Sequence, residues 1–183
     1  MLEKGAQRRK LVKTFFATVL MVAFSVGARA QVPHILGNWQ LNVTASKLGG
    51  PAPRVHVRRY SLADDGVTLI GLAVVVDTTG TPHFLQFAAK DDGKDTPEFD
   101  SGSLAAYQMH GTMPRGSYAE TPVDSHTVEW VDKYDGRVVG SGRKWVSEDG
   151  RTLSFTVHVK NPQGEDLEFL YVFDRLDPPA PAN

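Results

Sequence analysis

The chain contains no cysteine, which excludes a disulfide framework, a thiolate zinc site, an iron–sulfur cluster, a catalytic thiol and a lipoprotein anchor. Any chemistry must therefore come from histidine, tyrosine, arginine, serine or carboxylates. The usual catalytic signatures are missing as well: there is no Gly-x-Ser-x-Gly elbow, no Ser-x-x-Lys, no P-loop and no Gly-x-Gly-x-x-Gly between a strand and a helix. His34, His56, His83, His110, His126 and His158 form no His-x-His or His-x-x-x-His pair, so local metal-ligand spacing is lacking. No metal and no cofactor is expected. The longest apolar run, from Thr14 to Val26, is too short to span a bilayer comfortably.

That run lies where a signal peptide would place it. It follows a basic start ending at Lys13 and closes on Ala28-Arg29-Ala30, an A-x-A cleavage pattern. Residues 1–30 are thus expected to be a cleavable signal peptide, with the mature chain starting near Gln31 and the protein periplasmic or secreted. Arg8-Arg9-Lys10 fits twin-arginine export, but paired arginines also occur in ordinary signal peptides, so both routes stay open. The formal net charge of -1 conceals an asymmetry, because Lys4, Arg8, Arg9, Lys10, Lys13 and Arg29 all precede the cleavage site and face only Glu3. Without them the chain has 14 basic and 20 acidic residues, a net of -6. Such a surface is unsuited to a phosphate backbone or an anionic membrane, so neither nucleic acid nor stable membrane insertion after cleavage is expected.

From Gly37 onward, short alternating or apolar runs are separated by turn signals such as Asp64-Asp65-Gly66, Thr79-Gly80, Asp91-Asp92-Gly93, Asp135-Gly136 and Asn161-Pro162-Gln163-Gly164. The runs predict strands over 37–44, 54–62, 67–76, 82–90, 95–99, 104–110, 126–133, 137–146, 151–160 and 166–175. No stretch after the signal has a helical period. The expected fold is all-β, an antiparallel up-and-down barrel of about eight to ten strands over 31–176, followed by a disordered Pro/Ala tail over 177–183. Period-two alternation assigns some faces: Leu153, Phe155, Val157 and Val159 point inward, as do Leu167, Phe169, Tyr171 and Phe173, and Val128 with Trp130. The run 67–76 is apolar on both faces, which suggests either cover by a neighbouring segment or a homodimer contact.

Gly37-x-Trp39 opens the first strand, and Tyr171-Val-Phe-Asp-Arg175 closes the last. This pairing resembles the lipocalin-like, or calycin, barrels, in which a buried tryptophan on the first strand meets an arginine near the end of the last. Gly37-x-Trp39-x-Leu41-Asn42 with Ser46-Lys47, Pro51-Ala-Pro53, Asp92-Gly-Lys-Asp95 and Ser147-Glu-Asp-Gly-Arg-Thr-Leu153 is similar to a group of exported bacterial lipocalin-like proteins of unknown function. The resemblance implies a barrel closed at one end by Trp39 and Arg175, with an internal ligand cavity.

Arg54, His56, Arg58 and Tyr60 alternate and share a strand face, either inward, around an anionic head group, or outward into solvent. Arg143 beside Gly140 and Gly142 poses the same choice. Tyr107, Met109 and His110, in a long connection without a clear pattern, and Tyr118 beyond them are candidates for a rim or lid. The expected ligand set is His56, Arg58, Tyr60, Tyr107, Trp130, Arg143, Phe155, Phe169 and Tyr171, around a small hydrophobic or amphipathic molecule. Two other readings remain. One is a cofactor-independent acid–base enzyme, which would need His56, Tyr60 and Tyr107 or His110 to converge; the other is an envelope interaction module.

Overall fold

A computed structural model describes residues 34–177. The expected signal peptide and the tail beyond Asp177 lie outside the described residues. The chain forms ten strands: β1 (Gly37–Leu41), β2 (Val55–Leu62), β3 (Leu69–Val76), β4 (Pro82–Ala89), β5 (Thr96–Asp100), β6 (Gly116–Pro122), β7 (Thr127–Tyr134), β8 (Arg137–Val146), β9 (Thr152–Lys160) and β10 (Asp166–Arg175). Each pairs antiparallel with the next, and β10 pairs with β1, so the sheet is a closed up-and-down barrel. The architecture is consistent with a lipocalin-like barrel. Closure leaves no free edge, which is how a sheet with so many apolar side chains avoids pairing with other chains.

Two elements differ from the sequence reading. The segment expected as a strand over 104–110 belongs to a helix, α1 (Ser101–His110), and β6 was not expected at all. Helix α1 buries none of its residues, so it has no apolar stripe for periodicity to detect. Its caps hold it instead: Asp100 and Ser103 form a capping box, and Gly111, at φ 67°, donates its N–H to the Tyr107 carbonyl. Strand β6 was hidden because its inward positions include Glu120 and its last residue is Pro122, so the alternation is not one of apolar with polar.

The inward residues divide the barrel into a packed end and an open end. Ile35, Trp39, Leu69, Ala89, Val128, Val146, Leu153 and Phe173 are buried and fill the packed end. Trp39 has no exposed surface, and its indole N–H donates to the Ile35 carbonyl at 2.7 Å. The Arg175 guanidinium lies over the indole ring, 4.1 Å from its centroid, and donates to the carbonyls of Gly150, Leu36 and His34 at 2.5, 2.6 and 2.6 Å. One side chain therefore joins the turn before β9, the entry to β1 and the end of β10.

At the other end, the connection after β1 returns across the barrel. Lys47 and Leu170 exchange backbone hydrogen bonds at 2.8 and 3.0 Å, tying this connection to β10. Gly49 then passes against the Phe169 ring so closely that any Cβ would collide with it. On the outer face of β3, Leu72 and Val74 join Val57 and Leu176 along a shallow groove, while Leu69, Gly71 and Ala73 face inward and are buried.

Arg175→Ala removes three charge-assisted hydrogen bonds and a ring contact, which sets the expected loss of stability at about 2–4 kcal/mol. Urea unfolding should show a lower midpoint with an unchanged slope. Arg175→Lys should recover only part of the loss, because an ammonium cannot fan across three carbonyls while lying flat on an indole.

Candidate functional site

The open end encloses a cavity of about 590 Å³. Leu48, Gly49, Gly50, Pro51 and Pro53 form its rim, with Val75 and Leu85 from β3 and β4 and Val157 and Phe169 from β9 and β10. Aromatic rings line the walls below. Phe155 stacks on Tyr171 with centroids 5.2 Å apart, and Phe87 stacks on Tyr118 at 4.1 Å, with Trp130 next to Tyr118 at 6.5 Å. Gly142 makes room for the Trp130 ring: a Cβ there would strike the Thr156 carbonyl of β9 and press on the indole.

The depth of the cavity is polar. His56, Arg58, Glu98, Tyr118, Asp132 and Lys144 all line it. Lys144 and Glu120 form an ion pair with side chains only 4% and 1% exposed, and both contact the Tyr118 hydroxyl: Lys144 donates to it at 2.9 Å and it donates to Glu120. Burial and the neighbouring Glu120 charge together hold the Tyr118 phenol well above its ordinary pKa, so it stays a neutral donor. Arg58 donates through Nε to His56 Nε2 at 3.3 Å and through Nη1 to the Tyr60 hydroxyl at 3.2 Å, while its guanidinium lies 4.5 Å from the centroid of the Phe155 ring. Accepting that bond requires a lone pair on His56 Nε2, so the imidazole is neutral with its proton on Nδ1. Desolvation, then the Arg58 charge, lowers its pKa to about 3.

The carboxylates opposite are displaced the other way. Desolvation raises Glu98 to about 8, helped by the charge of Asp132, and raises Asp132 to about 6. Asp91, at the turn after β4, is likewise lifted to about 6 by desolvation and then by Glu120. Near neutral pH, Glu98 is therefore mostly protonated and Asp132 mostly ionised within one cavity.

Most of the sequence-predicted ligand residues come together here: His56, Arg58, Trp130, Phe155, Phe169 and Tyr171 line the cavity, and Tyr60 is buried beneath Arg58. Two do not. Arg143 stands on the outer face of β8, bonded through Nε and Nη2 to Glu129 Oε1 at 3.1 and 2.9 Å, because the pleat that turns Gly142 and Lys144 inward turns Arg143 out. Tyr107 lies on α1, packed edge-on against Phe99 at 5.4 Å and away from the cavity. With His110 also exposed on α1, the convergence required of a His56, Tyr60 and Tyr107 or His110 catalytic set does not occur.

The sequence reading missed Glu98, Glu120, Asp132 and Lys144, and it put Tyr118 on a rim or lid where the structure buries it in the cavity wall. Asp132 and Lys144 were within reach of alternation, since they continue the inward series Val128, Trp130 and the series Gly140, Gly142. Tyr118 and Glu120 were lost with β6. Asp91 was read as a turn residue and does lie in the turn after β4, but unlike Asp92, which accepts from the Lys94 N–H, its Oδ1 is enclosed without a partner. Comparison with protein-family models and with curated proteins finds no match to this chain.

The titration of these groups gives the folded state a definite pH response. Glu98 titrates at about 8 when folded, against 4.5 ordinarily, so the folded state holds the extra proton and stability falls as pH rises through that interval. His56 acts oppositely, but only between about 3 and 6.5. Between pH 6.5 and 8 the Glu98 slope is thus unopposed, and stability should drop by about 1–2 kcal/mol. Glu98→Gln should flatten this interval in denaturant melts and raise stability at pH 8.

Proposed function

We propose that the protein is exported and binds a small amphipathic molecule inside the barrel, with its apolar part against the aromatic walls and its polar part at the level of Arg58, Glu98 and Asp132. The observation that supports this reading is the cavity itself: mostly apolar at the rim, where Asp77 and Thr78 are the polar exceptions, aromatic on its walls, polar in its depth, and large enough for a molecule of some twenty or more non-hydrogen atoms. Burying such a molecule would gain about 25 cal/mol per Å² of apolar surface removed from water. The likeness to exported bacterial lipocalin-like proteins points in the same direction, as does the first stretch of sequence. Expression of the full chain in a bacterial host should release a protein beginning at Gln31, and retention of residues 1–30 in a membrane fraction would overturn export.

A second reading, acid–base catalysis on a hydrophobic substrate, is favoured by Glu98 and Asp132, which pair a proton donor with an acceptor near pH 7. It would not use His56, whose imidazole is already engaged by Arg58 and stays neutral above about pH 3.

Binding is tested with Nile red, a neutral fluorophore that brightens in apolar surroundings. Uptake of one dye per chain is expected. Val157→Trp places an indole in the cavity near its rim and should abolish uptake while leaving the far-ultraviolet circular dichroism unchanged. Uptake that is absent, or indifferent to this substitution, would remove the reading.

A further inference from the structure

Resting on the binding reading above, we propose that the polar part of the ligand is a cationic nitrogen, a protonated primary or secondary amine on an apolar body, seated between Glu98 and Asp132. Three enclosed side-chain atoms among the described residues have no hydrogen-bond partner: Asp91 Oδ1, Glu98 Oε1 and Asp132 Oδ1. All three are carboxyl oxygens and none is a nitrogen. The unmet demand of the interior is for donors, and two of these oxygens belong to residues that line the cavity.

The balance of charge agrees. Three carboxyl groups, Glu98, Glu120 and Asp132, meet inside the barrel with two cations, Arg58 and Lys144, and a fourth, Asp91, adjoins Glu120 from the turn after β4. Lys144 is engaged by Glu120 and Tyr118, and Arg58 bonds His56 and Tyr60 and lies on Phe155. An anionic head group would add a further negative charge and leave both oxygens orphaned. A hydroxyl offers one donor and no charge. A primary ammonium offers three donors and a secondary one two, each with one positive charge, which is enough for both oxygens, and the aromatic walls attract a cation through their ring faces.

The groups facing Glu98 are Asp132, Asp100, Arg58 and Lys144, and those facing Asp132 are Arg58, Lys144 and Glu120. An arriving ammonium offsets the desolvation, and the lesser repulsion from Asp132, that keep Glu98 protonated. Amine binding at pH 7 should therefore expel close to one proton, and amine affinity should rise with pH toward 8.

The test is isothermal titration calorimetry at pH 7 with three probes of equal chain length, decylammonium, decanol and decanoate, in two buffers of different ionisation enthalpy. Decylammonium should bind at least tenfold more tightly than either other probe, with proton release. The double variant Glu98→Gln, Asp132→Asn should lose that preference while still taking up decanol. Its melting temperature at pH 8 should be no lower than the parent's, since the replaced groups are those that burial penalises when charged. Decanoate or decanol binding as tightly as decylammonium, or an undiminished preference in the double variant, would overturn the cationic head group and leave the binding reading in place. If none of the three binds, both fall.

Discussion

The contact between Arg175 and Trp39 sets the terms for the rest of the barrel. Register places Trp39 directly opposite Arg175 on β10 and Arg58 on β2, so one row of side chains runs from the seal of the closed end to the depth of the cavity. An indole with no exposed surface fills the axis there, and the guanidinium stacked on it satisfies three carbonyls that barrel closure would otherwise strand. With that end plugged, the remaining internal volume collects at the other end, under a rim tied down by the Lys47–Leu170 bridge. The cavity is in this sense a by-product of asymmetric closure.

What occupies the walls of that volume is energetically costly. A charged carboxylate in a low-dielectric interior is disfavoured unless paired, and pairing is uneven here. Glu120 has Lys144 and Tyr118, whereas Glu98 and Asp132 each keep an oxygen without a partner. Across the sheet each faces a glycine, Glu98 opposite Gly116 on β6 and Asp132 opposite Gly140 on β8, and the Trp130 ring packs over Gly140. A glycine opposite an enclosed acid offers it no side-chain hydrogen bond.

The barrel was legible because it rests on local rules, and its closed-end pair because Gly37-x-Trp39 and Arg175 resemble the lipocalin-like barrels. Turn residues punctuate the hairpins, period-two alternation marks β9 and β10, and Trp39 and Arg175 stand at the ends of the strand series. The polar depth of the cavity was far less legible. Alternation identifies an inward face by its apolar residues, so an inward face bearing Tyr118 and Glu120, or ending in Asp132, reads as an outward or irregular segment. Arg143 and Lys144 show the same limit in miniature, since adjacent cations exchange roles on a single step of parity. Helix α1 escaped for the opposite reason, since caps rather than a buried stripe hold it, and capping leaves no trace in hydropathy.

These two halves of the site explain one another. A wholly apolar barrel of this shape would gain stability by collapsing its walls, since nothing polar would hold them apart. Charges of both signs, anchored on opposite strands and partly satisfied by His56, Tyr60 and Tyr118, resist that collapse, because bringing them together would desolvate them further. Arg58 illustrates the balance: it spends two donors on neutral partners and its face on Phe155, with no carboxylate within salt-bridge distance among the described residues. The interior thus maintains an open, polarised volume at the cost of folding stability, and the unpaired oxygens of Glu98 and Asp132 are where that cost is least offset within the chain.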